Sequence, residues 1–203
     1  FRAAIAIFAA MLILFSSTMA AGHKGEAPQC SEPTKNLRIL GNEKVSIELS
    51  NLSNGIVNVR YDQPNQPCKL KVTIDKGDER YVYDLQSDGE FEPLPLQMGD
   101  GKYSVRVLSN VVANKYAVIY GTTLDVQLSD EMAPFLASSQ LVKFSENSKA
   151  VELAEKLSKD AETDKDKLEA IYKYIVNNIT YDWDKAATVK PGYLPDCDEI
   201  LEL

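Results

Sequence analysis

Histidine is nearly absent from this chain. Its 203 residues include one, His23, in a polar stretch ahead of any patterned segment. A Ser-His-Asp or Cys-His system needs an imidazole held beside its nucleophile, so residues 37–203 cannot build one. Histidine-based metal sites are excluded for the same reason. Cysteine is also scarce: Cys30, Cys68 and Cys197 are widely spaced, with no Cys-x-x-Cys. Three such residues make no disulfide framework, although export would permit one bridge between Cys30 and Cys68. The phosphate-cradling patterns G-x-x-x-x-G-K-[ST] and G-x-G-x-x-G are missing, as is the zinc pattern H-E-x-x-H. No cofactor and no metal are expected. Basic residues are outnumbered, 22 against 30, for a net charge of −8. Phosphates would repel such a surface, which argues against nucleic acid and anionic membrane as partners.

Long apolar runs are missing too, except at the very start. "AAIAIFAAMLILF", Ala3 to Phe15, is continuous, follows the single charge of Arg2, and leads into the small residues of "SSTMAA", Ser16 to Ala21. This reads as a signal peptide over residues 1–21, cleaved near Ala20 or Ala21. The alternative is a membrane anchor, but the run is shorter than the roughly 20 residues a bilayer span requires. Cys30 lies well past the run and follows "EAPQ", which does not suit a lipid anchor. The expected location is therefore secreted or cell surface, with no stable membrane anchor after cleavage. The chain begins with Phe1 rather than Met, and we expect it to be a fragment of a longer product. Residues 22–36, rich in Gly, Pro and polar side chains, read as a flexible leader.

From 37 to 128 the chain is cut into short runs of period two. "KVSIEL", "GIVNVRY", "CKLKVTI", "RYVYDL", "YSVRVL" and "KYAVIY" alternate apolar and polar positions, the mark of strands with one buried face. Turn signals part them: Ser53-Asn54-Gly55, Asp75-Lys76-Gly77-Asp78, Ser87-Asp88-Gly89 and Gly99-Asp100-Gly101. Strands at this spacing with no helix between them predict an antiparallel, Ig-like β-sandwich. Tyr81, Tyr83, Tyr103, Tyr116 and Tyr120 read as ordinary strand aromatics, the alternative being a sugar-stacking face.

Residues 129–148 read as a Pro-containing linker, after which the period becomes helical. Ala150, Leu153, Ala154, Leu157 and Ala161 fall on one face, with Asn147 or Ser148 as cap. Leu168, Ile171, Tyr172, Ile175 and Ile179 repeat the pattern, with Thr163 or Asp164 as cap and Asn177-Asn178 fraying the end. Asp164 and Asp166 suit the positive end of the second helix. From Lys149 onward there are thirteen Asp and Glu against eight Lys, which reads as a solvated helical surface rather than a paired-carboxylate site. Two helices this short need partners for their stripes, and the sequence shows none.

The closing quarter carries something more specific. Asn178-Ile179-Thr180-Tyr181-Asp182 ends the second helix, and Pro195-Asp196-Cys197-Asp198-Glu199-Ile200-Leu201 follows a Pro-containing loop. This stretch, Ala154 to Leu203, resembles the opening of a transglutaminase-like domain of exported bacterial proteins. The resemblance implies an α+β chain, a β-sandwich followed over residues 149–203 by the first helices of a papain-like transglutaminase-like domain. Tyr181, Asp182 and Trp183 would then lie near the cleft. It implies a Cys-His-Asp system acting on amide bonds of a protein or peptide substrate, cell-wall-associated ones among the candidates, by acyl transfer, deamidation or hydrolysis. The nucleophile would follow a glycine at a helix start. Cys197 does not suit that role, because Asp196, Asp198 and Glu199 would raise its pKa. All three catalytic residues are expected beyond Leu203, leaving this chain inactive. The competing reading is a non-catalytic cell-surface binding or structural module.

Overall fold

The computed structural model describes residues 38–65, 68–190 and 193–202. The signal and leader readings, with His23 and Cys30, lie outside them. The chain divides into two compact units between Phe135 and Leu136.

The first unit has eight strands: β1 (Ile39–Gly41), β2 (Val45–Glu48), β3 (Ile56–Tyr61), β4 (Leu70–Lys76), β5 (Glu79–Leu85), β6 (Glu92–Pro95), β7 (Gly101–Val112) and β8 (Lys115–Val126). They form two four-stranded sheets, ordered β1-β2-β3-β6 and β5-β4-β7-β8. Every pairing is antiparallel. The fold is a β-sandwich. Its core takes alternate residues from both sheets: Val45 and Ile47, Val57 and Val59, Leu70, Val72 and Ile74, Tyr103, Val105 and Val107. Burying each such side chain contributes about 1.5–3 kcal/mol, and the period of two places them all on one face.

The alternation read from the sequence weakens at the margins. In β5 only Leu85 is buried, and in β8 only Leu124 and Val126. Both are outer strands of their sheet, so much of their inward face lies beyond the core. The other margins are short or broken. β1 spans three residues, and β6 carries Pro93 and Pro95. Along β8 the register with β7 shifts between Val107 and Leu108. There the Asn42 side chain donates to the Ile119 carbonyl at 2.9 Å. On β2, Glu48 is buried but satisfied: its carboxylate accepts from Asn58 Nδ2 at 2.6 Å and from the Ser50 amide at 2.5 Å.

Residues 129–148, read as a linker, are shared between the two units. Ser129 donates its amide and its hydroxyl to the Ser53 carbonyl, at 2.8 and 3.0 Å. Pro134 is buried against Gly55, where φ is +70° and an added Cβ would come within 2.3 Å of the proline ring. A single turn, α1 (Ala133–Leu136), marks the division.

The second unit contains α2 (Lys149–Ser158), α3 (Asp164–Asn178), α4 (Trp183–Thr188) and α5 (Cys197–Ile200). The expectation that the helical stripes lack partners is corrected. Phe144 from the connector, with Cys197 and Ile200 from α5, completes a small core over Ala150, Val151, Ala154, Ile171 and Ile175. Tyr172, placed on the stripe by its spacing, is exposed instead. α3 ends at Asn178, where the sequence placed its end. The side-chain amides of Asn177 and Asn178 donate back to the carbonyls of Lys173 and Tyr174, each at 2.8 Å, and hold the last turn in helical form. Thr163 caps α3 in a reciprocal pair: its hydroxyl accepts from the Asp166 amide and the Asp166 carboxylate accepts from the Thr163 amide.

The β7–β8 hairpin turns on Ala113, which holds φ at +50° without being glycine. Asn110 steadies the turn by donating to the carbonyls of Ala113 and Lys115, at 2.6 and 3.3 Å. Left-handed backbone costs a residue bearing a Cβ roughly 1–2 kcal/mol, and glycine's greater freedom in the unfolded chain takes back part of any relief. Ala113→Gly should therefore stabilise the sandwich by about 0.5–1 kcal/mol. The measurement is the urea midpoint at unchanged slope, and a lower midpoint would contradict the strain assigned here.

Candidate functional site

The stretch following α3 is built by two helix caps. Ile179 closes α3 through its amide, which donates to the Ile175 carbonyl at 3.0 Å. Asp182 then caps α4, accepting from the Lys185 amide at 2.8 Å. Between the caps, Tyr181 and Trp183 meet edge to face, with centroids 4.5 Å apart and planes at 62°. Both are open to solvent, Tyr181 at 46% and Trp183 at 76% exposure. The structure thus brings the three sequence-selected residues together. Asp182 sets the backbone, and the two rings form an aromatic corner on the surface.

Beside α4 lies a polar cluster that the sequence did not reveal. Lys185 Nζ is 2.5 Å from Glu199 Oε1 and 4.9 Å from the centroid of the Tyr193 ring. The Tyr193 hydroxyl donates to Glu199 Oε2 at 3.3 Å. The hydrogen bonds from Lys185 to Glu199 and to Tyr193 hold its ammonium well above the ordinary lysine range. Through these contacts Lys185 links α4 to Tyr193 and Glu199.

Cys197 sits in the helical core at 1% exposure. Burial, and then the charges of Asp196 and Asp198, push its thiol up to about 11. At neutral pH only about one thiol in ten thousand is then ionised, and the thiolate is the reactive form. The acidic neighbours of Cys197 also have structural work. Asp196 caps α5, accepting from the amides of Asp198 and Glu199 at 2.8 and 3.3 Å. Asp198 reaches across to α2 and accepts from the amides of Lys149 and Ala150, both at 3.0 Å. Ser148, the cap read from the sequence, makes no capping bond to α2, and its hydroxyl accepts instead from the Ser145 amide. The "DCDE" run offered one legible signal, acids that could seat at a helix start, but no spacing told which helix.

The five tyrosines of the sandwich do not share one face of their sheet. Tyr103 is fully buried, its hydroxyl accepting from the Met98 amide and donating to the Gly99 carbonyl at 2.7 Å. Tyr81, Tyr83 and Tyr120 pair with core residues Ile74, Val72 and Val107. Tyr116 lies on the other side of the sheet, under the Lys71 ammonium. Among the described residues no group of His, Cys, Asp and Glu is placed to hold a metal ion. Also among them, no helix is long and apolar enough to cross a membrane.

Asp182→Ala should remove the α4 cap at a cost of about 1 kcal/mol to that helix. Trp183 is the only tryptophan, so its fluorescence anisotropy reports the loosening directly. We expect the anisotropy to fall and the Lys185 amide to exchange faster, with the unfolding midpoint of the sandwich unchanged. Unaltered anisotropy would show that the corner does not depend on the cap.

No family model matches the chain, and no curated protein matches it. One solved structure is similar over 47% of this chain and 94% of its own: a β-sandwich protein from a computer-based redesign study, 15% identical, at a TM-score of 0.29.

Proposed function

We propose that this chain is the N-terminal part of an exported transglutaminase-like cysteine enzyme that acts on amide bonds of a protein or peptide substrate, cell-wall-associated ones among the candidates, by acyl transfer, deamidation or hydrolysis. Its catalytic Cys, His and Asp lie beyond Leu203, and residues 1–21 direct it to secretion or the cell surface. One observation carries the reading. The two stretches that hold the resemblance, Asn178–Asp182 and Pro195–Leu201, are parted by residues 183–194 and belong to one folded unit. Ile171 and Ile175 of the helix leading to the first share a core with Cys197 and Ile200 of the second, and Lys185 and Glu199 join them again at the surface.

Two further facts support it. Cys197 has the environment of a core residue, so the nucleophile is sought elsewhere. A catalytic thiol needs a depressed pKa and an adjacent imidazole, and burial among carboxylates gives the opposite. The helical unit also leaves Tyr172, Val176, Tyr181 and Trp183 open to solvent, apolar surface that a larger domain would have use for.

A product extended past Leu203 should show thiol-dependent activity on amide substrates. That activity should vanish when the cysteine that follows a glycine in the added segment is changed, and Cys197→Ala should alter it less than about twofold, since core changes away from the site act on stability rather than on chemistry. Loss of activity in a folded Cys197→Ala protein would misplace the active site. An extended product inactive on every amide substrate would leave the non-catalytic cell-surface module as the function.

Export has its own measurement. The mature protein, expressed with a complete N-terminus, should begin near Ala21 or Gly22 on N-terminal sequencing, and retention of Phe15 or earlier residues would indicate an anchor.

A further inference from the structure

The helical unit is closed by a helix that cannot hold itself. α5 has four residues, too few to offset the cost of nucleating a helix. What keeps it in place is tertiary. Cys197 and Ile200 enter the core. The Asp198 carboxylate spans the amides of Lys149 and Ala150. Two ion pairs, Lys149–Glu202 at 2.6 Å and Lys185–Glu199 at 2.5 Å, flank the segment. Lys149 and Glu202 are exposed, and pairs in that setting hold weakly. The α2–α3 pair differs: it has ten and fifteen residues, its own backbone ladders, and the Thr163–Asp166 capping pair. Releasing α5 withdraws Cys197 and Ile200 from the core and the carboxylates of Asp198 and Glu199 from their partners while leaving those ladders whole.

We propose that α5 is a strap that opens on its own while α2 and α3 remain paired, so that the core around Ile171 and Ile175 is intermittently uncovered. Asp198 ties the opening to the start of α2, and Glu199 ties it to α4, which carries Trp183. This goes beyond the proposed enzymatic reading and does not depend on it.

The test uses the full chain with Cys30→Ser and Cys68→Ser, which leaves Cys197 as the sole thiol. Its labelling by an aromatic disulfide reagent is followed at neutral pH against urea, well below the unfolding midpoint, beside amide exchange at Ile171 and Ile175. Local opening exposes little surface, so its rate should be nearly flat in urea while exchange within α3 is steep. Adding Asp198→Ala should speed labelling about tenfold, the size of a lost cap, with exchange at Ile175 unchanged. The Ile200 amide in the unsubstituted chain gives the same readout if the cysteine changes disturb folding. A Cys197 rate as steep in urea as exchange at Ile171 and Ile175, or an Asp198→Ala effect equal at both places, would show that strap and helices open together and would overturn the proposal.

Discussion

Two sheets of four strands each must keep one face from water, and only each other's inner face can do it. From that constraint the rest of the sandwich follows. Alternate residues along the cores of β2, β3, β4 and β7 are apolar because the pleat turns every second residue inward. A slip of one residue in any pairing would carry Val45 and Ile47, or Val72 and Ile74, into solvent. Tyr103 shows how strict the demand is. Its ring is wholly enclosed, and its hydroxyl is accepted there because it meets backbone partners at Met98 and Gly99. A polar atom so deep without partners would cost about 1–3 kcal/mol.

The helical unit works by a different economy. Its core is small, and no single helix could close it. Closure depends on pieces far apart in sequence: Phe144 before α2, and Cys197 and Ile200 after α4. The carboxylate of Asp198 fastens the last piece to the first helix by occupying two of its unpaired amides. Every acid from Asp196 to Glu199 therefore has a partner: the start of α5, the start of α2, or a lysine. A charge run that looks like plain solvated surface is the seam of the unit.

What was legible in the sequence follows the same divide. The strands of the sandwich core announce themselves because burial there is periodic and local. Val45-Ile47 and Leu70-Val72-Ile74 need no knowledge of their partners. The margins mislead because the same alternation in "RYVYDL" and "KYAVIY" says nothing of whether another sheet lies above it. In the helical unit, the Thr163 cap was readable since both its partners lie within four residues. The Asp198 cap was not, because its helix begins 49 residues earlier. At the aromatic corner, the residues could be picked out by type, but not their exposure or the cap at Asp182. Tyr172 was misplaced for a related reason: helical spacing gives a stripe, while the width of the stripe that is covered depends on what packs there.

The sheet margins have a consequence of their own. A bare strand edge is an invitation to polymerise, since each copy can extend the next copy's sheet without limit. Here each margin declines the invitation differently. β1 is too short to template a partner, and β6 presents prolines that cannot donate. β5 carries Glu79, Arg80 and Asp84, and β8 is interrupted where Asn42 occupies the Ile119 carbonyl. Each outer strand of the described sandwich therefore carries its own obstacle to edge-to-edge pairing, and the four obstacles are of unrelated kinds.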